Sequence, residues 1–104
     1  MKMSFVYMTA RDKKEARKIG KALVEERLAA CVNIIDKMNS IYWWKGKMEK
    51  AKEAVLIAKT KKALVPRLIK RVKSLHSYTC PCIVSLPILD GNKEYLRWIG
   101  DETR

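Results

Sequence analysis

The chain is poor in the residues from which most enzymes and metal centres are built. It has one histidine, His76, among 104 residues, which excludes an H-E-x-x-H zinc motif. It also lacks a Gly-rich phosphate loop and a nucleophile elbow, so phosphate-loop and serine-hydrolase chemistry have no motif to stand on. Acid and base roles for Glu53 and His76 have only residue type behind them. The expectation is a protein that is not an enzyme. Cysteines number three, Cys31, Cys80 and Cys82, an odd count without paired spacing, which points to reduced thiols. Cys80-Pro81-Cys82 is neither a C-x-x-C redox pair nor a zinc knuckle, and its thiols are expected on opposite faces of a strand. Taken singly, the cysteines read as small buried hydrophobes. No segment reaches the roughly 20 apolar residues of a membrane span, and MKMSFVYMTARDKK meets charge before any apolar run of signal length. No membrane partner and a cytoplasmic location are expected.

Acidic residues are scarce as well: 11 Asp and Glu face 23 Lys and Arg, a net charge of +12. Such an excess raises the question of a nucleic-acid partner. Much of it lies at Lys13, Lys14, Arg17, Lys18 and Lys21, and at Lys61, Lys62, Arg67, Lys70, Arg71 and Lys73. These positions alternate with apolar residues at helical spacing, the pattern of a solvated outer face, and a heavily charged surface of thermophilic style fits equally. An RNA-recognition motif would need aromatics on its third strand, whereas here that strand reads EAVLIAKT. Nucleic acid is therefore not an expected partner. With 48% hydrophobic residues, residues 1–104 make one compact domain with a modest core.

What the chain does have is a long hairpin. In SIYWWKGKMEKAKEAVLIAKT, Ser40 to Thr60, the alternation of Ile41 and Trp43 with Tyr42 and Trp44 puts one aromatic on each face of a strand. The turn falls at Lys45, Gly46 and Lys47. The return arm becomes apolar on both faces from Ala54 to Ala58, which belongs mid-sheet. A typical partner strand covers only about five or six residues. The tip with Trp43 and Trp44 therefore projects beyond the core, and another subunit is the natural cover for it.

The remaining elements follow from periodicity. Met3 to Thr9 reads as a central strand, and Asp12 with Glu15 as a capping pair for a helix whose inward stripe is Ala16, Ile19, Gly20, Leu23 and Val24, Gly20 permitting close approach. Ala30 to Ile35 is a second strand, joined to the hairpin through a bulge or bend at Asp36 to Ser40. A second helix starts near Lys62 or Ala63, because Pro66 is tolerated only in a first turn. It carries Leu64, Leu68, Val72 and Leu75 inward and ends around His76 to Tyr78. Ile83 to Leu89 is a fourth strand, at an edge because of Pro81 and Pro87, and Asn92 caps a last helix with Tyr95, Leu96, Trp98 and Ile99. Strand, helix, strand, strand, helix, strand and a terminal helix make an α+β, ferredoxin-like βαββαβ fold with an extended β2-β3 hairpin. Right-handed crossovers put the first and third strands at the centre. One sheet face takes the two amphipathic helices; the other must meet the last helix or another subunit.

The runs EERLAACVNI, SIYWWKGK, Glu53 with Ala58 to Thr60, LHSYTCP and GNKEYLRWI, in this order and across essentially the whole length, resemble the CutA divalent-cation tolerance family. The resemblance implies a homotrimer built through hairpins and edge strands, kinship with PII-like sensors, a cytoplasmic location and an association with copper or another divalent cation. Cys31 stands in an A-A-C-x-N signature that the resemblance links to copper. His76 matches the histidine of the family's H-P-Y, although the triplet here is His76-Ser77-Tyr78, and Arg71 stands where some members have a further cysteine. No organic cofactor is indicated.

Two candidate sites follow. Cys31 and His76 are candidate metal ligands, since Cu(I) prefers thiolates and Cu(II) prefers imidazole and carboxylate. Cys31 and Cys82 fall on opposite edge strands, roughly 14 Å apart at about 4.8 Å per strand, so a shared thiol site would lie between subunits. For His76, taken as a free imidazole, the alternative is a helix-end residue interacting with the dipole. The second candidate is a cleft for a small anion or metabolite, with Tyr42, Trp44, Tyr78 and Trp98 as walls and Glu53, Lys59 and His76 as polar groups. An intersubunit ion pair between Glu53 and Lys59, with tryptophans as interface anchors, explains the same residues.

Overall fold

The computed structural model describes residues 2–104. Its elements are β1 (Met3–Ala10), α1 (Lys13–Glu25), β2 (Cys31–Trp44), β3 (Lys47–Lys61), α2 (Val65–Leu75), β4 (Ile83–Pro87) and α3 (Lys93–Asp101), with a 3-10 turn at Lys62–Leu64. The sheet runs in the order β2-β3-β1-β4, with every neighbouring pair antiparallel. The two strands expected at the centre are there, and the doubly apolar run of β3 lies between β1 and β2.

Strand alternation sorts β3 into two faces. Ala54, Leu56, Ala58 and Thr60 face α1 and α2, and Leu56 packs with Ile19 and Leu23 of α1 and Leu68 and Val72 of α2. The α1 cap forms as its sequence predicts, the Asp12 carboxylate accepting from Glu15 N at 2.8 Å. Glu15 reaches back one residue beyond a standard capping box, accepting from Arg11 N at 2.9 Å. Gly20 brings α1 down onto the sheet: a Cβ there would stand 3.0 Å from Val32 Cγ2.

Val55, Ile57 and Lys59 face the opposite way, beside Tyr7 of β1 and Val84 of β4. Helix α3, capped by Asn92, covers part of this face and buries Ile99 fully. Its end is tied to the end of α1 by the Arg27–Glu102 ion pair at 2.6 Å and by Arg104 N donating to Arg27 O. The rest of the face is open: Ile35, Val84 and Leu86 are each half exposed or more.

The hairpin outruns its support. β1 pairs with β3 only from Lys61 back to Ala54, so Glu53 to Lys47 pair with β2 alone, and Trp43 at the tip is 74% exposed. The register shifts between Ile35 and Met38, where Lys37 takes a positive φ and donates its N–H to Asp36. This is the expected bulge. Two boundaries differ from the sequence expectation. A 3-10 turn precedes α2, leaving Pro66 in the first helical turn, and β4 stops at Pro87 rather than Leu89 because proline brings no N–H to the ladder.

Candidate functional site

Below the hairpin, where β2 and β3 leave the sheet, lies a cleft of about 830 Å³, within the usual size of small-molecule sites. Its floor is Tyr7 and Thr9 of β1, one wall is Met38, Tyr42 and Trp44 of the ribbon, and the other is the 77–82 segment between α2 and β4. Glu53 stands at the junction, on the face of β3 shared with Val55, and is only 7% exposed. The Tyr78 hydroxyl donates to Glu53 Oε2 at 2.9 Å. Burial, and then the hydrogen bond to the neighbouring carboxylate, holds the Tyr78 phenol well above the ordinary tyrosine range.

Of the proposed cleft residues, Tyr42, Trp44, Glu53 and Tyr78 come together here. Lys59 and Trp98 do not, which corrects that part of the site. Lys59 shares a face of β3 with Glu53 but lies six residues away, about 20 Å along a strand. Its ammonium donates to Asn33 Oδ1 at 2.9 Å and lies over the Tyr95 ring. Trp98 stacks on Tyr95, at 5.4 Å between ring centroids. No ion pair joins Glu53 to Lys59 within the chain.

His76 is not a free imidazole. Its side chain is 1% exposed, Nδ1 accepts from Tyr78 N at 3.1 Å, and Nε2 lies 2.8 Å from Thr9 O. That pattern fits the neutral tautomer with its proton on Nε2, donated to the Thr9 carbonyl, and it leaves neither nitrogen open to a metal. Glu15 braces the same corner, accepting from Ser77 N at 3.0 Å. Burial raises the Glu15 carboxyl, but the hydrogen bonds from Arg11 and Ser77 outweigh it and hold the group below the ordinary range. His76 and Glu15 thus fix the segment that carries Tyr78 into the cleft.

The thiols are not the buried hydrophobes expected: Cys31 is half-buried, and Cys80 and Cys82 are exposed. Cys80 and Cys82 line the same cleft rather than diverging, because residues two apart on an extended chain project to the same side. Burial, and then the charge of Glu53, raises the Cys82 thiol, with the Thr9 hydroxyl pulling the other way. Cys31 sits at the far end of β2, level with Lys59, apart from both Cys82 and His76. Among the described residues no group of three or more His, Cys, Asp or Glu side chains is placed to hold a metal ion. Tyr7, Thr9, Ser77 and Cys82 were missing from the sequence-based cleft, since their place in it depends on the β1–β3 and β1–β4 registers. The one available signal was that Cys82 follows Tyr78 closely in the same connecting segment.

The fold and cleft define a ferredoxin-like domain with an overlong hairpin. Residues 4–102 match the family model described as CutA1 divalent ion tolerance protein. The Divalent-cation tolerance protein CutA of Thermus thermophilus is 51% identical over 98 residues, covering 94% of this chain and 95% of that one. The protein of the same name from Archaeoglobus fulgidus is 48% identical, covering 96% of each. Among solved structures, CutA1 from Oryza sativa superposes with a TM-score of 0.97 at 38% identity, covering 100% of this chain and 95% of that one. The chain belongs to the CutA1 family. The Archaeoglobus structure is described as periplasmic and a rice relative as chloroplastic; no helix among the described residues is long and apolar enough to cross a membrane.

Proposed function

We propose that the protein acts in divalent-cation tolerance as a homotrimer that binds its ligands between subunits and catalyses no reaction. The names of its relatives support the first part. The unfinished sheet supports the second. Ile35, Val84 and Leu86 on the open face, and Ile41 and Trp43 on the opposite face of the ribbon, are apolar side chains that a monomer would leave in water. The edge strands β2 and β4 are free to pair, and the count of three follows the family resemblance. With no cluster of three such donors among the described residues, a site for copper or another divalent cation draws on more than one subunit, and Cys31 at a sheet edge is its candidate thiolate. Native mass spectrometry with and without copper, under reducing conditions, tests this. A trimer taking up metal in multiples of three is expected, and a monomer loading metal by itself would overturn the reading.

A second reading is favoured by the cleft itself: a PII-like sensor holding a small metabolite. Its support is the wall of Tyr42, Trp44 and Tyr78 around a nearly buried carboxylate. Saturable change in the Trp44 signal on adding candidate metabolites, without metal, would favour this reading over the first.

A further inference from the structure

The charges around the cleft narrow what it takes. Lys and Arg make up 23 of the 104 residues, yet none of the residues lining the cleft is either. Its one formally charged lining residue is Glu53, which forms no ion pair among the described residues and is 7% exposed. The Glu53 carboxylate accepts from the Tyr78 hydroxyl and faces a cleft that none of the described Lys or Arg side chains lines.

The ribbon segregates its charges to the same end. Tyr42 pairs with Glu49 and Met38 with Glu53, so both acids share the face of Tyr42, whereas Lys50 and Lys52 pair with Ile41 and Asn39 on the other face. Lys47 shares the acidic face but sits at the tip, outside the cleft lining. A second hollow, of about 400 Å³, shows the opposite design, with Lys2, Lys61 and Lys62 among its lining residues. The aromatic walls add to the cleft's preference, because the faces of Tyr42, Trp44 and Tyr78 carry negative quadrupole charge. Trp44 already draws Lys45 Nζ to 5.8 Å from its ring centroid.

We infer that the cleft binds an organic cation of the alkylammonium class, with Glu53 as its counter-charge and Tyr42, Trp44 and Tyr78 as its cage. This rests on the second reading above and revises its ligand: a small anion, including a nucleotide phosphate, would meet a carboxylate and no cation. A bare metal ion finds too few donors here, and it gains less than an alkylated ammonium from aromatic walls.

The test uses the assembled protein and three probes: choline, its neutral isostere 3,3-dimethylbutan-1-ol, and ATP. Binding is read by calorimetry and by the Trp44 indole resonance, assigned with Trp44→Leu. Choline is expected to shift the resonance saturably and to bind roughly tenfold tighter than the alcohol. Glu53→Gln, whose amide oxygen still accepts from Tyr78, should sharply reduce that discrimination while leaving the alcohol unaffected. Should Glu53→Gln fail to fold, Tyr42→Leu at a half-exposed position is expected to weaken choline more than the alcohol. Equal affinity of choline and alcohol, or discrimination that Glu53→Gln leaves undiminished, overturns the inference. ATP moving Trp44 while choline does not would overturn the cation class and keep the cleft reading. A resonance that no probe moves, as when a neighbouring subunit's lysine fills the site, would overturn both.

Discussion

The Tyr78 hydroxyl donates to Glu53 Oε2 at 2.9 Å, joining the α2–β4 connection to the point where the hairpin leaves the sheet. Removing the donor strands a carboxylate that is 7% exposed. Tyr78→Phe is therefore expected to cost about 1–3 kcal/mol in urea unfolding at neutral pH and fixed protein concentration. The alkaline limb gives a second check. Burial and the Glu53 hydrogen bond raise the folded Tyr78 above its ordinary value, so its contribution is complete below about pH 10. It is lost as pH rises further, because the unfolded chain sheds the proton first. The stability gap between wild type and Tyr78→Phe should thus shrink as pH rises above about 10, and a gap that widened would contradict the assignment.

Glu15 predicts the acid limb. Its carboxyl is 6% exposed and accepts from Arg11 N and Ser77 N. Although burial raises it, these bonds win and the folded group lies below its ordinary range. Its stabilisation is present above the unfolded value, about 4.3 for a glutamate, and is lost as pH falls through the folded one. Glu15→Gln should destabilise at pH 7 by about 1–3 kcal/mol and lose most of that deficit near pH 3. Denaturant midpoints of the two proteins at both pH values decide it.

Sequence and structure agree wherever one residue's neighbours along the chain determine its role. The Asp12 cap, the bulge after Ile35, Pro66 in a first turn and the doubly buried Ala54 to Ala58 are all local or periodic signals. Four of the cleft's lining residues were legible, because Tyr42, Trp44, Glu53 and Tyr78 are polar or aromatic residues out of step with a core. Lys59 and Trp98 were misplaced for the opposite reason. Shared residue type and shared strand face say nothing of the six residues separating Glu53 from Lys59, or of Tyr95 taking both side chains. His76 looked like a ligand because a lone histidine at a helix end carries no sequence trace of the Thr9 carbonyl that engages it. Only the register of β1 against β3 and β4 supplies that.

The hairpin turn is built on a compromise at Lys45. Lys45 and Gly46 both take positive φ, 50° and 79°, the signature of a type I′ turn, for which Asn-Gly is the preferred pair. Lysine tolerates that conformation poorly. Lys45→Asn is expected to raise stability by about 0.5 kcal/mol, and Gly46→Ala to lower it by about 1 kcal/mol. Neither touches the core, since no atom lies within 4 Å of a Cβ built at Gly46. Thermal unfolding of both variants checks the signs, and a stabilising Gly46→Ala would rule out this turn.

Gly20 sets two magnitudes against each other. In a helix interior, replacing glycine by alanine ordinarily gains about 1 kcal/mol. Here the new Cβ would meet Val32 Cγ2 at 3.0 Å and Leu56 Cδ1 at 3.2 Å. Leu56 is fully buried in the core, and Val32 is β-branched on a strand, with little freedom at χ1 to withdraw. The helix must lift, and lifting α1 loosens the packing of Ile19 and Leu23 on the sheet. Overpacking of this kind costs about 1–3 kcal/mol, enough to reverse the propensity gain. Gly20→Ala is therefore expected to destabilise the wild type and to stabilise a Val32→Ala background, where the obstructing methyls are gone. A double-mutant cycle by denaturant unfolding measures the reversal. The same sign in both backgrounds would show that helix propensity, not the close approach of α1 to β2, governs this position.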